Sequence, residues 1–223
     1  MTTRASRSRG MPRHRSAPIA APSRAPLILV GAILALITVA ALVAILLSST
    51  ASGTLAEPAR AATVVDGAAL PAFSDPVADA AIGQSIPTLT GTDLSGEVIS
   101  IDPGDGPMVV VAVAHWCPSC QAEVPRLVDY LASSGMPEGV RIVALSTSID
   151  AARPNYPPSA WLDREEWTVP TMVDDATSGG LTALGMTSFP AFVFVNGDGT
   201  VAQRLVGQIP VETFDQVARS LVP

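Results

Sequence analysis

Residues 108–125 read MVVVAVAHWCPSCQAEVP, and the fold turns on this stretch. Its first seven residues, Met108 to Ala114, form an unbroken apolar run bounded by Gly106-Pro107. A run of that length without polar alternation fits a strand buried on both faces of a sheet. From Pro118 the spacing changes: Val124, Leu127, Val128 and Leu131 share one face of a helix. Pro118 stands just inside the helix start, where a missing N–H costs nothing. Cys117 is thereby placed at the helix N-terminus, where free N–H groups and the positive end of the dipole favour a thiolate. Cys120 lies one turn further on and can reach back to it. A dithiol in this arrangement can attack a partner disulfide and then resolve the mixed disulfide.

Three other uses of the pair compete. A structural disulfide between Cys117 and Cys120 closes a very small loop and staples nothing distant. A structural zinc site needs four ligands, and beyond the N-terminal apolar run the chain offers only the two cysteines and His115. Copper(I) binding stays open, because thiolates are soft ligands, although the motif has few Met or His neighbours. A peroxidase of the same general fold calls for a threonine shortly before the reactive cysteine; Ala114 and His115 precede Trp116 instead. No Gly-rich phosphate loop lies between a strand and a helix, so no organic cofactor is expected.

Outward from the motif, Leu89-Thr90 and Val98 to Ile101 flank GTDLSG (residues 91–96), which reads as a β-hairpin. Val140 to Leu145 reads as a second buried strand. A helix is expected over Pro158 to Trp167, a short strand over Thr171 to Val173 and a short helix over Leu181 to Leu184. Ala191 to Val195 and Val201 to Val206 flank Asn196-Gly197-Asp198-Gly199, residues that accept positive φ, and predict another hairpin. Val211, Phe214, Val217, Ala218 and Leu221 form the apolar stripe of a closing helix. Strands alternating with helices imply an α/β domain with a mixed central sheet flanked by helices.

The charge is unevenly placed. All 13 basic residues are arginine, and six of them (Arg4, Arg7, Arg9, Arg13, Arg15, Arg24) precede the first acid, Glu57. All 20 acidic residues follow, so the later part is strongly negative and a poor nucleic-acid binder. Residues 27–47, LILVGAILALITVAALVAILL, carry no charge. At helical rise they span about 31 Å, the thickness of a bilayer's hydrocarbon core. The arginines on the N-terminal side place that end in the cytoplasm and the rest outside. The expected organisation is a cytoplasmic tail (1–26), a transmembrane anchor (27–47), an extracytoplasmic linker (48–82) and the α/β domain (83–223). Part of the linker, around Ala68 to Ala80, is expected to pack on the domain. Cleavage of the apolar segment as a signal peptide is the alternative, and delivers the domain to the same side.

Trp116-Cys117-Pro118-Ser119-Cys120, followed by Glu123 and Pro125, gives the pattern WCxxCxxExP. With Gly83, Gln84 and Pro87 upstream and FPAFVFVNGDG (residues 189–199) downstream, the chain from Gly83 onward resembles the TlpA/ResA-like branch of the thioredoxin superfamily. The resemblance implies a thioredoxin-like fold with an N-terminal β-hairpin extension and one transmembrane helix. It implies thiol–disulfide exchange through Cys117 and Cys120, of the reductive, cytochrome c maturation type, with a disulfide-forming oxidase as the alternative. Protein thiol or disulfide clients and a membrane redox partner are the implied partners. The resemblance makes Pro190 a cis proline facing the cysteines, and Phe189 and Pro190 part of the client-binding surface. Glu123 tunes Cys120 or relays a proton; a solvated helix glutamate is the plain alternative. Trp116 and Pro118 shape the surface around the cysteines. Thioredoxin has a buried Asp where this chain has Val111. His115 is a further departure: an imidazolium there makes the disulfide more oxidising, whereas an exposed loop histidine does little.

Overall fold

Strand β4 (Met108–Val113) is the centre of the molecule, and none of its six side chains is more than 2% exposed. Successive side chains of a strand point to opposite faces, and here both faces are covered. Val109, Val111 and Val113 pack with Val124 and Leu127 of helix α1 (Pro118–Ser133) and with Phe214 and Ala218 of helix α4 (Val211–Arg219). Met108, Val110 and Ala112 face the other way, towards Leu181 and Ala183 of helix α3 (Gly179–Ala183) and towards Leu70, Ala81 and Ile86. Each buried Val, Leu, Ile, Phe or Met side chain here contributes about 1.5–3 kcal/mol, and each alanine methyl about 0.8 kcal/mol. This double coverage is why the run shows no polar alternation.

The computed structural model describes residues 62–222. The other elements are β1 (Val64–Asp66), β2 (Thr88–Asp93), β3 (Val98–Ile101), β5 (Arg141–Ser146), α2 (Pro158–Arg164), β6 (Thr171–Val173), β7 (Ala191–Val195) and β8 (Val201–Val206). They form one sheet in the order β1-β2-β6-β5-β4-β7-β8, with β3 also paired to β2. Strand β4 runs parallel to β5 and antiparallel to β7, so the sheet is mixed. The fold is thioredoxin-like. The β7–β8 turn needs glycine at position 199, where φ is +81° and a Cβ would meet Pro103 atoms at 2.5–3.1 Å.

Helix α2 is shorter than expected: Glu165 caps it, and Glu166 takes a left-handed φ of 56°. The chain turns back there, so that Trp167 is buried and donates from Nε1 to Thr171 Oγ1 at 3.0 Å.

Of the segment expected as a linker over 48–82, residues 62–82 are described, and they pack on the domain, as expected around Ala68 to Ala80. Strand β1 pairs antiparallel with β2. Thr63 Oγ1 donates to the buried Asp174 carboxylate at 3.0 Å. Leu70 N–H donates to Ala183 O at 2.9 Å, and Phe73 N–H to Gly185 O at 2.7 Å. Asp79 closes a buried ion pair with Arg204 of β8, whose Nε lies 2.8 Å from Oδ2. Arg204 holds the Asp79 carboxyl below its ordinary range, against the opposing pull of burial. These anchors are single residues spaced along small ones, so no periodicity announced them. The expected tail and anchor, 1–26 and 27–47, lie outside the described residues. Among the described residues no helix is long and apolar enough to cross a membrane.

Candidate active site

Strands β4 and β5 are parallel, and the segments that leave their C-terminal ends meet beside the start of α1. Open α/β sheets place their sites at that end. The chain leaves β4 through Ala114, His115 and Trp116. Cys117 is the N-cap of α1 in extended conformation, with Pro118 as the first helical residue. Its N–H donates to Ala114 O at 3.0 Å, which tightens the turn between strand and helix. Both cysteines are free thiols.

The two thiols differ in access. Cys117 is 8% exposed and its Sγ lies 3.6 Å from the carbonyl oxygen of Phe189. Cys120 is fully buried and accepts a hydrogen bond from Ala114 N–H at 3.4 Å. Burial pushes the Cys120 thiol far up, and the nearby Cys117 and Glu123 add to that push. The peptide bond between Phe189 and Pro190 is cis, and Pro190 is buried.

Glu123 is not a solvated helix glutamate. It is 1% exposed and pairs with Arg126 Nη1 at 3.0 Å. Arg126 is itself half-exposed and donates from Nη2 to Ile209 O at 2.9 Å. Burial raises the Glu123 carboxyl above its ordinary value, and Arg126 only partly offsets this. In the apolar cluster that holds both cysteines, Val111 supplies no acid from the strand, and α1 supplies one instead. An acid that prefers its protonated form in the fold costs stability once it ionises. The cost is absent well below the ordinary value of 4.5, grows as pH rises from there and is complete above the folded value. Glu123→Gln therefore melts several degrees above the wild type at pH 7.5, and the two converge near pH 4; melting curves at both values check this.

His115 is neither exposed nor doubly protonated in its contacts. Its Nδ1 lies 2.7 Å from Pro154 O, an acceptor, and its Nε2 accepts from Asp150 N–H at 3.2 Å. Only the neutral ring with hydrogen on Nδ1 satisfies both. Its backbone carbonyl accepts from the side-chain amides of Gln121 and Asn155 at 3.0 and 3.3 Å. His115 thus fastens the motif to the loop of residues 147–157. Trp116 is half-buried and donates from Nε1 to Ser148 O at 2.7 Å. Its ring meets Phe189 edge to face at 5.4 Å, and the Arg153 guanidinium lies over it at 4.2 Å.

All eight expected site residues, His115, Trp116, Cys117, Pro118, Cys120, Glu123, Phe189 and Pro190, thus belong to one neighbourhood of the fold. Sequence reasoning missed Arg126 and the 147–157 loop. The Glu-x-x-Arg spacing on a helix was a readable signal for Arg126. Nothing in the sequence placed Arg153 over Trp116, because the loop has no period.

The Redoxin family profile matches residues 67–221. No curated protein matches the chain. Among solved structures, the thioredoxin domain of a thiol-disulfide oxidoreductase from Bacteroides vulgatus is similar, with a TM-score of 0.51 at 20% identity. That match covers 64% of this chain and 99% of the other. A thiol:disulfide interchange protein of the thioredoxin family from Chlorobium tepidum TLS also scores 0.51 at 20% identity, covering 67% and 99%. At these identities the likeness supports the fold, while the profile spans most of the chain; the chain belongs to the Redoxin family of thiol–disulfide oxidoreductases.

Proposed function

We propose that Cys117 and Cys120 are the working dithiol and that the protein reduces disulfides in client proteins outside the cytoplasmic membrane. The observation that carries this reading is the unequal access of the two sulfurs: Cys117 keeps 8% exposure at the helix start, while Cys120 is fully buried. In the first step the Cys117 thiolate attacks a client disulfide, forms a mixed disulfide and releases one client thiolate. In the second, Cys120 gives its proton to the Glu123 carboxylate and attacks Cys117 Sγ. The second client thiolate leaves and a Cys117–Cys120 disulfide remains. Trp116, Pro118, Phe189 and Pro190 form the surface along which the client lies.

The reductive direction rests on the surroundings of Cys120 and on the placement of His115. A strongly oxidising couple needs its reduced form stabilised. Here Cys120 is desolvated, and His115 is turned to Pro154 and Asp150 as a neutral ring. Both features favour a low potential, as in the TlpA/ResA-like reductases of cytochrome c maturation. A membrane redox partner then supplies two electrons and two protons to reopen the disulfide. Residues 27–47 tether the domain, and the arginines before them hold the N-terminus in the cytoplasm.

The test is a single turnover: the reduced protein is mixed with a disulfide-bonded peptide, quenched with acid and analysed by mass. The expected product is one reduced peptide per protein molecule, with Cys117 and Cys120 joined. An unchanged peptide after hours of contact sinks the reading.

A further inference from the structure

Between Ala62 and Val222 lie nineteen acidic residues and six arginines. Four of those arginines pair with carboxylates: Arg126 with Glu123, Arg141 with Asp105, Arg204 with Asp79 and Arg219 with Asp215. A fifth, Arg164, donates to Ala160 O and to Asn155 Oδ1. Arg153 alone among the six has no carboxylate and no hydrogen-bond acceptor for its guanidinium; it is exposed and lies over the Trp116 ring. It is also the arginine beside the cysteines. Trp116 precedes Cys117 and packs on Phe189, whose carbonyl faces the Cys117 sulfur.

Stacking costs the guanidinium none of its in-plane donors. A guanidinium held over an aromatic face through its π interaction keeps N–H donors that no acceptor takes up, and those donors match a carboxylate. The loop is held in place: Trp116 Nε1–H binds Ser148 O, Asn155 binds the His115 carbonyl, and Arg153 N–H donates to Asp150 O at 3.1 Å. The rest of the domain is strongly negative and repels acidic segments, so a single unpaired cation at the site is locally decisive.

Resting on the dithiol reading above, we propose that Arg153 is a specificity-determining residue that selects client segments carrying a carboxylate next to the exchanging cysteine. The client's Asp or Glu meets the guanidinium edge over Trp116 while its cysteine sulfur reaches Cys117. Arg153 takes no part in bond making or breaking.

The experiment uses the full chain, reduced, and three disulfide-bonded peptides identical except for Glu, Gln or Lys on either side of the cysteine. Second-order rate constants are measured for wild type, Arg153→Gln and Arg153→Glu at low salt and at 1 M salt. The readout is the ratio between peptides rather than any one rate. Wild type is expected to prefer the Glu peptide over the Gln peptide by about threefold to fivefold, the upper part of the range of an exposed ion pair. Arg153→Gln brings that ratio to about one, and Arg153→Glu inverts it in favour of Lys. At 1 M salt the wild-type preference collapses, since screening then acts over about 3 Å. An equal fall on all three peptides in Arg153→Gln makes Arg153 a prop for Trp116 and overturns the inference, leaving the exchange reading intact. An unaltered ratio overturns it too. If wild type reduces none of the peptides, the exchange reading fails and the inference goes with it.

Discussion

Cys120→Ser is expected to stop at the first step of the single turnover and accumulate a stable mixed disulfide between Cys117 and the peptide. Cys117→Ser is expected to form no adduct at all. The asymmetry follows from burial. Cys117 is reachable from outside, whereas Cys120 is enclosed, with its sulfur accepting from Ala114 N–H. A peptide disulfide cannot approach Cys120 without opening the helix start. Each variant should lower turnover by three orders of magnitude or more, because losing either sulfur removes a covalent step rather than weakening it. Mass analysis of the quenched reaction distinguishes the two. Adducts forming readily on Cys120 in the Cys117→Ser protein would reverse the assigned order of attack. The fold should survive both changes, since serine is close to cysteine in size and neither sulfur staples a loop.

The second large effect is expected far from the cysteines. Arg204→Met leaves Asp79 buried without its partner and should destabilise the domain by about 3–5 kcal/mol. Arg204 is fully buried, with Nη1 on Leu184 O at 2.8 Å and Nε on Asp79. The pair joins the N-terminal segment to β8, so its loss removes that link and leaves the segment held by its backbone bonds to Ala183 and Gly185 and by its apolar contacts. Gly185 shares this corner: its φ is +68°, and a Cβ there would fall within 2.4 Å of Pro71 O and Arg204 Nη1. Urea unfolding followed by tryptophan fluorescence measures the cost. Asp79→Leu combined with Arg204→Met should cost less than the two single changes added together, because the double variant leaves no unpaired buried charge. A cost below about 1 kcal/mol for Arg204→Met would show that the segment is held by its apolar contacts alone.

These two effects also mark where the sequence was legible and where it was not. Strand β4 and helix α1 were readable because their apolar periods are strong and uninterrupted, and the cysteines stand at the junction between them. The β7–β8 hairpin was readable from its Asn-Gly-Asp-Gly turn. Packing around Ala68 to Ala80 was expected, but its partners were not readable, because Thr63, Leu70, Phe73 and Asp79 each meet a residue more than a hundred positions away and share no period. The fate of His115 was equally closed to inspection of the sequence. An imidazole beside a cysteine pair reads as an electrostatic aid, yet here it is turned into the 147–157 loop. Glu123 was assignable as an acid near the pair, but its burial depends on Ile209 and Arg126 closing over it. Long-range contacts decided each of these outcomes, and local pattern carries no record of them.

The measurement that bears most directly on the central claim is the reduction potential of the Cys117/Cys120 couple, by equilibration in thiol–disulfide buffers with tryptophan fluorescence as the signal. Trp116 adjoins Cys117 and should report the change. The expected result is one reversible two-electron transition at about −250 mV or below, the range of thioredoxin-like reductants. A reversible transition above about −150 mV would contradict the reductive direction and leave an oxidase. No reversible transition at all would contradict the claim that these two cysteines are a working redox pair.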